Sequence, residues 1–265
     1  MKGSIEKQVT ATYVGGPTVI IEINNFRIIT DPTLDPEGAT FQINGEFAEK
    51  KLIGPAITDV GKIDLVLLSH DQHPDNLDKA GRELLKSVTT TITTKSGAER
   101  LQNGTIGLAP WESTLIQTSA GDEIVITATP ARHGPSGIEK ITGDVNGFLI
   151  QVNGDDGFEI YLTGDTVFYE GIKEVSNIYK PRYVFIYAGA ARPRGPFNIT
   201  MGSNDAIDTA FAFPESIIIP LHFEGWSHYT ENGEVLTEAF SKLGIVNRLK
   251  ILKAGEVTEL SFTTD

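Results

Sequence analysis

The chain of 265 residues, 40% hydrophobic and 22% charged, is long enough to bury a core without staples. Its net charge of −13 (22 basic against 35 acidic residues) opposes broad binding to nucleic acid or to an anionic membrane, although a small anionic substrate is not excluded. No cysteine is present, which rules out disulfides, thiolate-held zinc, iron–sulfur clusters and thiol catalysis.

Taken in chain order, β-branched runs at Val9 to Val14, Thr18 to Ile23 and Arg27 to Thr30 predict three strands, parted by Gly-Gly-Pro and Asn-Asn turns. Asp31 to Val60, rich in Pro and Gly, predicts a long loop with one short helix, of the kind that forms lids and site walls. Ile63 to Leu68 is apolar apart from Asp64 and predicts a strand covered on both faces. Leu77, Ala80, Leu84 and Leu85 fall at helical spacing, so Leu77 to Ser87 predicts an amphipathic helix.

A strand at Thr89 to Thr93, a short helix at Ser96 to Gln102 and a strand at Thr105 to Leu108 follow. Two runs between Ser113 and Thr129 flank a turn at Ala120 and Gly121. Gly147 to Val152 and Phe158 to Leu162 form a hairpin pattern around Asn153 to Gly157. The closing third alternates strands (Tyr183 to Ile186, Ser216 to Pro220, Leu249 to Leu252) with helices (Ser203 to Phe213, Val235 to Leu243). That rhythm is α/β. No linker divides residues 1–265, which read as one domain. The N-terminus lacks an apolar h-region and no apolar stretch reaches the length of a membrane span, so a soluble, cytoplasmic protein is expected.

Four of the five histidines stand at the ends of predicted strands. His70, His73 and Asp75 share one short loop, and His133, Asp165 and His222 each close an apolar run. Imidazole nitrogen and carboxylate oxygen together suit Zn, Mn or Fe, and strand-end loops let such donors converge from distant parts of a chain. A transition-metal site is the reading this pattern supports.

The loop Ser69-His70-Asp71-Gln72-His73-Pro74-Asp75-Asn76-Leu77-Asp78 resembles the His-x-His-x-Asp-His signature of the metallo-β-lactamase superfamily, with one residue inserted. Asp31-Pro32, Thr129 to His133, Leu162 to Thr166 and Pro220-Leu221-His222 resemble that family's further motifs, in the family's order. The tail Phe223 to His228 resembles the branch that contains ascorbate-6-phosphate lactonases and related hydrolases. The resemblance implies a four-layer αββα sandwich with two metal pockets at one edge of its paired mixed sheets. One pocket would use His70, His73 and His133. The other would use Asp75, position 76 and His222, with Asp165 bridging.

Two departures matter. Asn76 stands where the family has histidine, and Gln72 and His73 compete for the place of the second histidine. The expectation is Zn2+ or Mn2+, with Fe also suited: one ion held tightly and a second held weakly or not at all. Asp75 or Asn76 also suits the N-cap of the helix that follows: for Asn76 capping and ligation are equal alternatives, and for Asp75 the two can coexist. His228 reads as a proton donor or substrate contact, or as an ordinary surface histidine. Arg192, Arg194 and Trp226 are candidate substrate contacts, and solvated loop arginines are the plainer alternative.

The expected function is a metal-dependent hydrolase acting on a small-molecule ester, lactone or phosphodiester, with Asp75 orienting the attacking water and His228 protonating the leaving group. A catalytically degenerate metal- or ligand-binding protein is the alternative that Asn76 suggests. An RNA-directed phosphodiesterase is disfavoured, because no positive groove is legible. No membrane partner is expected, and self-association stays open.

Overall fold

The computed structural model describes residues 8–42, 48–154, 157–193 and 195–262. Seven strands form one mixed sheet: β1 (Val9–Gly15), β2 (Thr18–Ile23), β3 (Phe26–Thr30), β6 (Leu65–Leu67), β7 (Thr90–Thr94), β8 (Ile106–Leu108) and β15 (Val257–Glu259). Their order is β15-β1-β2-β3-β6-β7-β8, antiparallel on the β15 side and parallel from β3 to β8. Six more form the second: β9 (Ser113–Gln117), β10 (Glu123–Pro130), β11 (Asn146–Val152), β12 (Phe158–Leu162), β13 (Tyr183–Tyr187) and β14 (Ile217–Leu221). Here β9 to β12 are antiparallel neighbours and β12 to β14 run parallel.

Alternation along each strand makes the layers. Val19, Ile21, Leu65 and Leu67 from one sheet meet Ile126, Phe148, Ile150 and Phe185 from the other in a core between the sheets. The residues between them point outward. Ile20, Val66 and Leu68 pack toward α1 (Lys79–Leu85) and α2 (Lys95–Leu101), through Leu84, Leu85 and Leu101. Leu149, Val184 and Ile186 pack under α4 (Glu170–Ile178), α5 (Ser203–Ala212) and α6 (Gly233–Lys242), through Ile172, Ala206 and Phe240. The result is the expected αββα sandwich. Among the described residues no helix is long and apolar enough to cross a membrane.

Two local expectations are corrected. Among the described residues between Asp31 and Val60 there is no helix; β4 (Thr40–Gln42) and β5 (Ala48–Lys50) pair antiparallel instead. Ala48 and Lys50 are exposed while Glu49 and Lys51 are buried, a period of two that charged side chains conceal from a hydrophobicity reading. Leu249 to Leu252 is not a ladder strand. Leu249 docks on the outer helical layer and Leu252 enters the core between the sheets, so the segment crosses layers and makes only the single bridge Ile218–Leu249. The last strand is instead β15, which pairs with β1 at the edge of the seven-stranded sheet and which the hydrophobic pattern does not announce.

Two helices are additional: α3 (Glu139–Thr142) and α4, whose Ile172, Val175 and Ser176 bury one face. The helix after the histidine loop begins at Lys79, and Asp78 is its N-cap, accepting from the Gly81 amide at 2.9 Å. Neither Asp75 nor Asn76 caps it. Gly81 lets α1 lie against the Asp31–Pro32 turn, since a Cβ there would collide with the Pro32 carbonyl.

Candidate metal centre

The carboxyl ends of β3, β6, β10, β12 and β14 meet at one edge of the sandwich, the position where parallel-sheet folds gather ligand groups. Asp31 follows β3, His70 follows β6, His133 follows β10, Asp165 follows β12 and His222 follows β14. The loop after β6 turns back through bonds from the Asn76 and Leu77 amides to the His73 carbonyl, which carries Asp75 and Asn76 under His70. Arg100 clamps that loop through a forked contact on Asp71, Nε at 3.0 Å and Nη2 at 2.5 Å.

Three imidazoles converge. His73 Nδ1 lies 2.9 Å from His70 Nε2 and 3.1 Å from His133 Nε2. His133 Nδ1 faces the Ile199 carbonyl at 2.7 Å and must carry the proton, so its Nε2 presents a lone pair to the cluster. His70 Nδ1 is held by Ser69 Oγ at 3.0 Å. One proton on His73 can serve only one of the two nitrogens that face it. An arrangement of lone pairs this close is stable around a cation. The competition inside the loop is resolved as well: His73 enters the cluster, whereas exposed Gln72 lies outward against Gly143.

Asp165 joins this group, Oδ2 lying 3.5 Å from His133 Nε2 and 3.9 Å from His70 Nε2. Its other oxygen faces a second pocket, 3.4 Å from His222 Nε2, which in turn lies 3.2 Å from Asp75 Oδ2. Both Asp165 oxygens and both His222 nitrogens are buried without an aligned hydrogen bond. Unpaired buried polar atoms are costly, and cations in the two pockets would satisfy both Asp165 oxygens and the His222 Nε2 that faces them. In each group, His70–His73–His133–Asp165 and Asp75–Asp165–His222, the donor atoms lie within 4.8 Å of one another. The residues present therefore fit metal ions.

The local electrostatics point the same way. Burial, then the neighbouring Asp75 and Asp31 carboxylates, push Asp165 well above the usual carboxylate range. Burial would also raise Asp75, but His228 and His222 beside it hold it well below. Burial carries Asp31 up to about 7 against its bonds from Tyr187, Ser69 and Asn76. His133 is lowered to about 3 by burial and by His73. Among the described residues every ion pair of Asp75 and Asp165 is with histidine, none with Lys or Arg.

Backbone strain accompanies the site. Asp31 (φ 28°) and His222 (φ 58°) both occupy the left-handed region, where non-glycine residues are costly. The His222 amide bonds the Gly16 carbonyl at 2.7 Å, and its ring is sandwiched between Tyr187 (5.2 Å) and Tyr229 (4.6 Å). Gly164, at φ 62°, is a further constraint: a Cβ there would collide with the Asn146 carbonyl and meet Ser69.

Of the remaining candidates, His228 is buried rather than superficial, with Nε2 2.9 Å from Asp75 Oδ2. It lines the cleft together with Glu49, Asp75, Asp165 and Pro193; the cleft has about 10 Å³ of room, about one water. Trp226 stands apart from that lining, buried against Phe41 with Lys51 Nζ 5.6 Å from its ring. Arg192 is exposed at the rim, its Nε donating to Asn198 at 2.6 Å. Arg194 lies outside the described residues. Sequence reasoning missed Glu49 and Tyr229. Tyr229 follows His228 directly, but an acid in a three-residue strand carries no pattern that marks it.

A model of the Beta-lactamase superfamily domain matches residues 26–223 of the chain. The UPF0173 protein YddR of Bacillus subtilis strain 168 is 23% identical over 254 residues, which cover 92% of this chain and 97% of that protein. A UPF0173 metal-dependent hydrolase of Pyrococcus abyssi is 27% identical over 233 residues, covering 84% and 96%. Among solved structures, isothiocyanate hydrolase from Delia radicum gut bacteria superposes with a TM-score of 0.79 at 21% identity, over 95% of this chain and 99% of its own. A possible metal-dependent hydrolase from Veillonella parvula gives 0.78 at 18%, over 96% and 100%. These structural likenesses carry the fold.

Proposed function

The chain belongs to the beta-lactamase superfamily and is a metal-dependent hydrolase of it, and from that premise we propose that it cleaves a small-molecule ester, lactone or phosphodiester. The observation that carries the reading is the convergence of His70, His73 and His133 on one point beside Asp165, neither of whose buried oxygens has an aligned hydrogen bond. When bound, Zn2+ or Mn2+, with Fe also suited to these donors, would supply Lewis acidity and lower the pKa of a water toward about 7.

The chain's own residues have the following proposed roles. His70, His73 and His133 hold the tight ion. Asp165 divides its oxygens between the two pockets. Asp75 orients the attacking water and accepts its proton. His228 lines the same cleft; the proton-donor role expected from sequence competes there with a ligand role argued below. Arg192, beside the cleft residues Ala191 and Pro193, is placed to meet an anionic substrate group at the rim. The narrow, carboxylate-lined cleft and the charge of −13 both disfavour an RNA substrate.

Elemental analysis of protein purified without chelator or nickel resin tests this, run beside a His133→Ala, Asp165→Ala double variant. Near-stoichiometric Zn, Mn or Fe that disappears in the variant is expected. Protein that takes up no metal even after reconstitution would overturn the hydrolase and leave a degenerate binder of the same fold.

A further inference from the structure

The second pocket lacks an imidazole at position 76, where Asn76 stands. Asn76 is fully buried and turns its amide nitrogen to Asp31 Oδ2 (3.3 Å) and Ser69 Oγ (3.4 Å). Its nitrogen is thus occupied with holding Asp31, while its buried Oδ1 has no hydrogen-bond partner among the described residues, and an amide oxygen is a poor zinc donor beside imidazole. A pocket left with Asp75, Asp165 and His222 has one nitrogen and two carboxylates.

Another histidine reaches the same carboxylate from elsewhere in the chain. Asp75 Oδ2 lies 3.2 Å from His222 Nε2 and 2.9 Å from His228 Nε2. Asp75 accordingly belongs to two sets of mutually close donors, one with Asp165 and His222, the other with Glu49 and His228. Ligand atoms bound at about 2.0–2.2 Å to one tetrahedral ion lie roughly 3.2–3.6 Å apart, so the His222–Asp75 and His222–Asp165 separations are those of a ligand set. His228 is close to that set through Asp75 and shares its own compact set with Glu49, so joining Asp165 and His222 takes a movement of its side chain as an ion binds.

The position of His228 is built. Its carbonyl accepts from the Arg192 amide at 3.2 Å, and its ring stands edge-on to Tyr229 at 4.7 Å. Tyr229 in turn donates to Asp75 Oδ2 at 3.3 Å. Charge supplies an independent reason for a second ion here. Asp31, Glu49, Asp75 and Asp165 are all at least 95% buried in one region. One dication leaves Asp75 and Asp165 under-compensated, because among the described residues their ion pairs are with histidine only.

We propose that His228 is a ligand of the second metal ion, supplying from the loop after β14 the imidazole that Asn76 cannot, with Glu49 of β5 as a further oxygen donor. This rests on the metal-dependent reading above. It moves the second ion toward the cleft mouth and joins β5, the histidine loop and the segment after His222 through one centre.

The test is titration of metal-free protein with Co2+ followed by visible absorption, and with Zn2+ followed by calorimetry. Wild type is expected to take two ions per chain, the second more weakly. His228→Gln retains a hydrogen-bond donor toward Asp75 but is a poor ligand. It should keep the first ion at unchanged affinity and lose at least about 10-fold in affinity for the second. Asn76→His placed on His228→Gln should restore it.

A His228→Gln protein that binds both ions as wild type does would overturn the proposal and make His228 a hydrogen-bond partner or proton donor only. Wild type that binds a single ion would overturn it while the hydrolase reading stands. Wild type that binds none would remove both. Should His228→Gln not fold, Glu49→Gln read by the same titration decides: it should weaken the second ion alone, and unchanged binding of both ions would overturn the proposal.

Discussion

The two pockets that share Asp165 are built on different principles. The histidine pocket takes two of its nitrogens from four consecutive residues and a third from the end of β10, and fixed neighbours hold them: Ser69 behind His70 and the Ile199 carbonyl behind His133. The Asp75 pocket is richer in oxygen and draws on loops 147 to 153 positions apart, namely Asp75 against His222 and His228. Its His222 nitrogens have no aligned hydrogen bond, and the rings of Tyr187 and Tyr229 pack against the imidazole. The comparison teaches that ligand count alone is a poor guide to affinity. What stands behind each ligand, and how much chain must be ordered to bring it there, decides how tightly an ion is held.

The bridging carboxylate gives the hardest way to break that contrast. Asp165→Ala should empty both pockets together and reduce hydrolysis by more than about 100-fold, beyond what loss of a partner behind a ligand produces. Metal content and turnover checked on one preparation decide it; retention of one full ion would show that the pockets are independent.

The contrast sharpens when each pocket is attacked alone. His133→Ala should abolish the tight ion, whereas His222→Ala should leave about one ion per chain, both read by elemental analysis. Equal losses in the two variants would mean that neither pocket fills without the other.

Gly164→Ala strikes the turn that aims Asp165. Its φ of 62° and the collision of a Cβ with the Asn146 carbonyl predict a loss of about 1–3 kcal/mol in stability, seen as a lower midpoint in denaturant, with both pockets weakened.

The smallest effect is a control remote from the centre. Asp205 on α5 is raised from 3.8 to about 6, chiefly by burial, with the backbone bonds from Gly202 and Phe168 opposing. Between these values the native state holds a proton that the unfolded chain has lost, so the carboxyl's penalty grows as pH rises through 6. Asp205→Asn should therefore stabilise the protein at pH 8, with a gain that shrinks below pH 6 and vanishes toward pH 4. Thermal melts across that range check it, and metal occupancy should not change.

Much of the fold was legible because alternation is local. Val19, Ile21 and Ile23 against Ile20, or Phe185 against Val184 and Ile186, announce strands covered on both sides, and a chain with two such sets needs two outer helical layers. The short strands were not legible. In β5 the buried positions are Glu49 and Lys51, which hydropathy assigns to solvent, and Lys51 is buried only because Asp78 and the Thr33 carbonyl receive its ammonium at 3.0 and 2.7 Å. β15 carries Val257 at 69% exposure and has no core face to advertise.

The sequence by itself determined which residues are able to ligate and in what order they arrive: few histidines, four of the five at the ends of predicted strands, are a one-dimensional pattern set by where apolar runs stop. It could not decide between Gln72 and His73, since a one-residue insertion shifts register without changing composition. Tertiary structure settled that by turning His73 inward and Gln72 onto Gly143. Nor could it show that Asn76 serves Asp31, that Glu49 faces the cleft, or that His228 closes on Asp75 across 153 residues of chain. Those are distances between loops that no local propensity encodes. They exist only once two sheets have packed and their carboxyl ends share an edge.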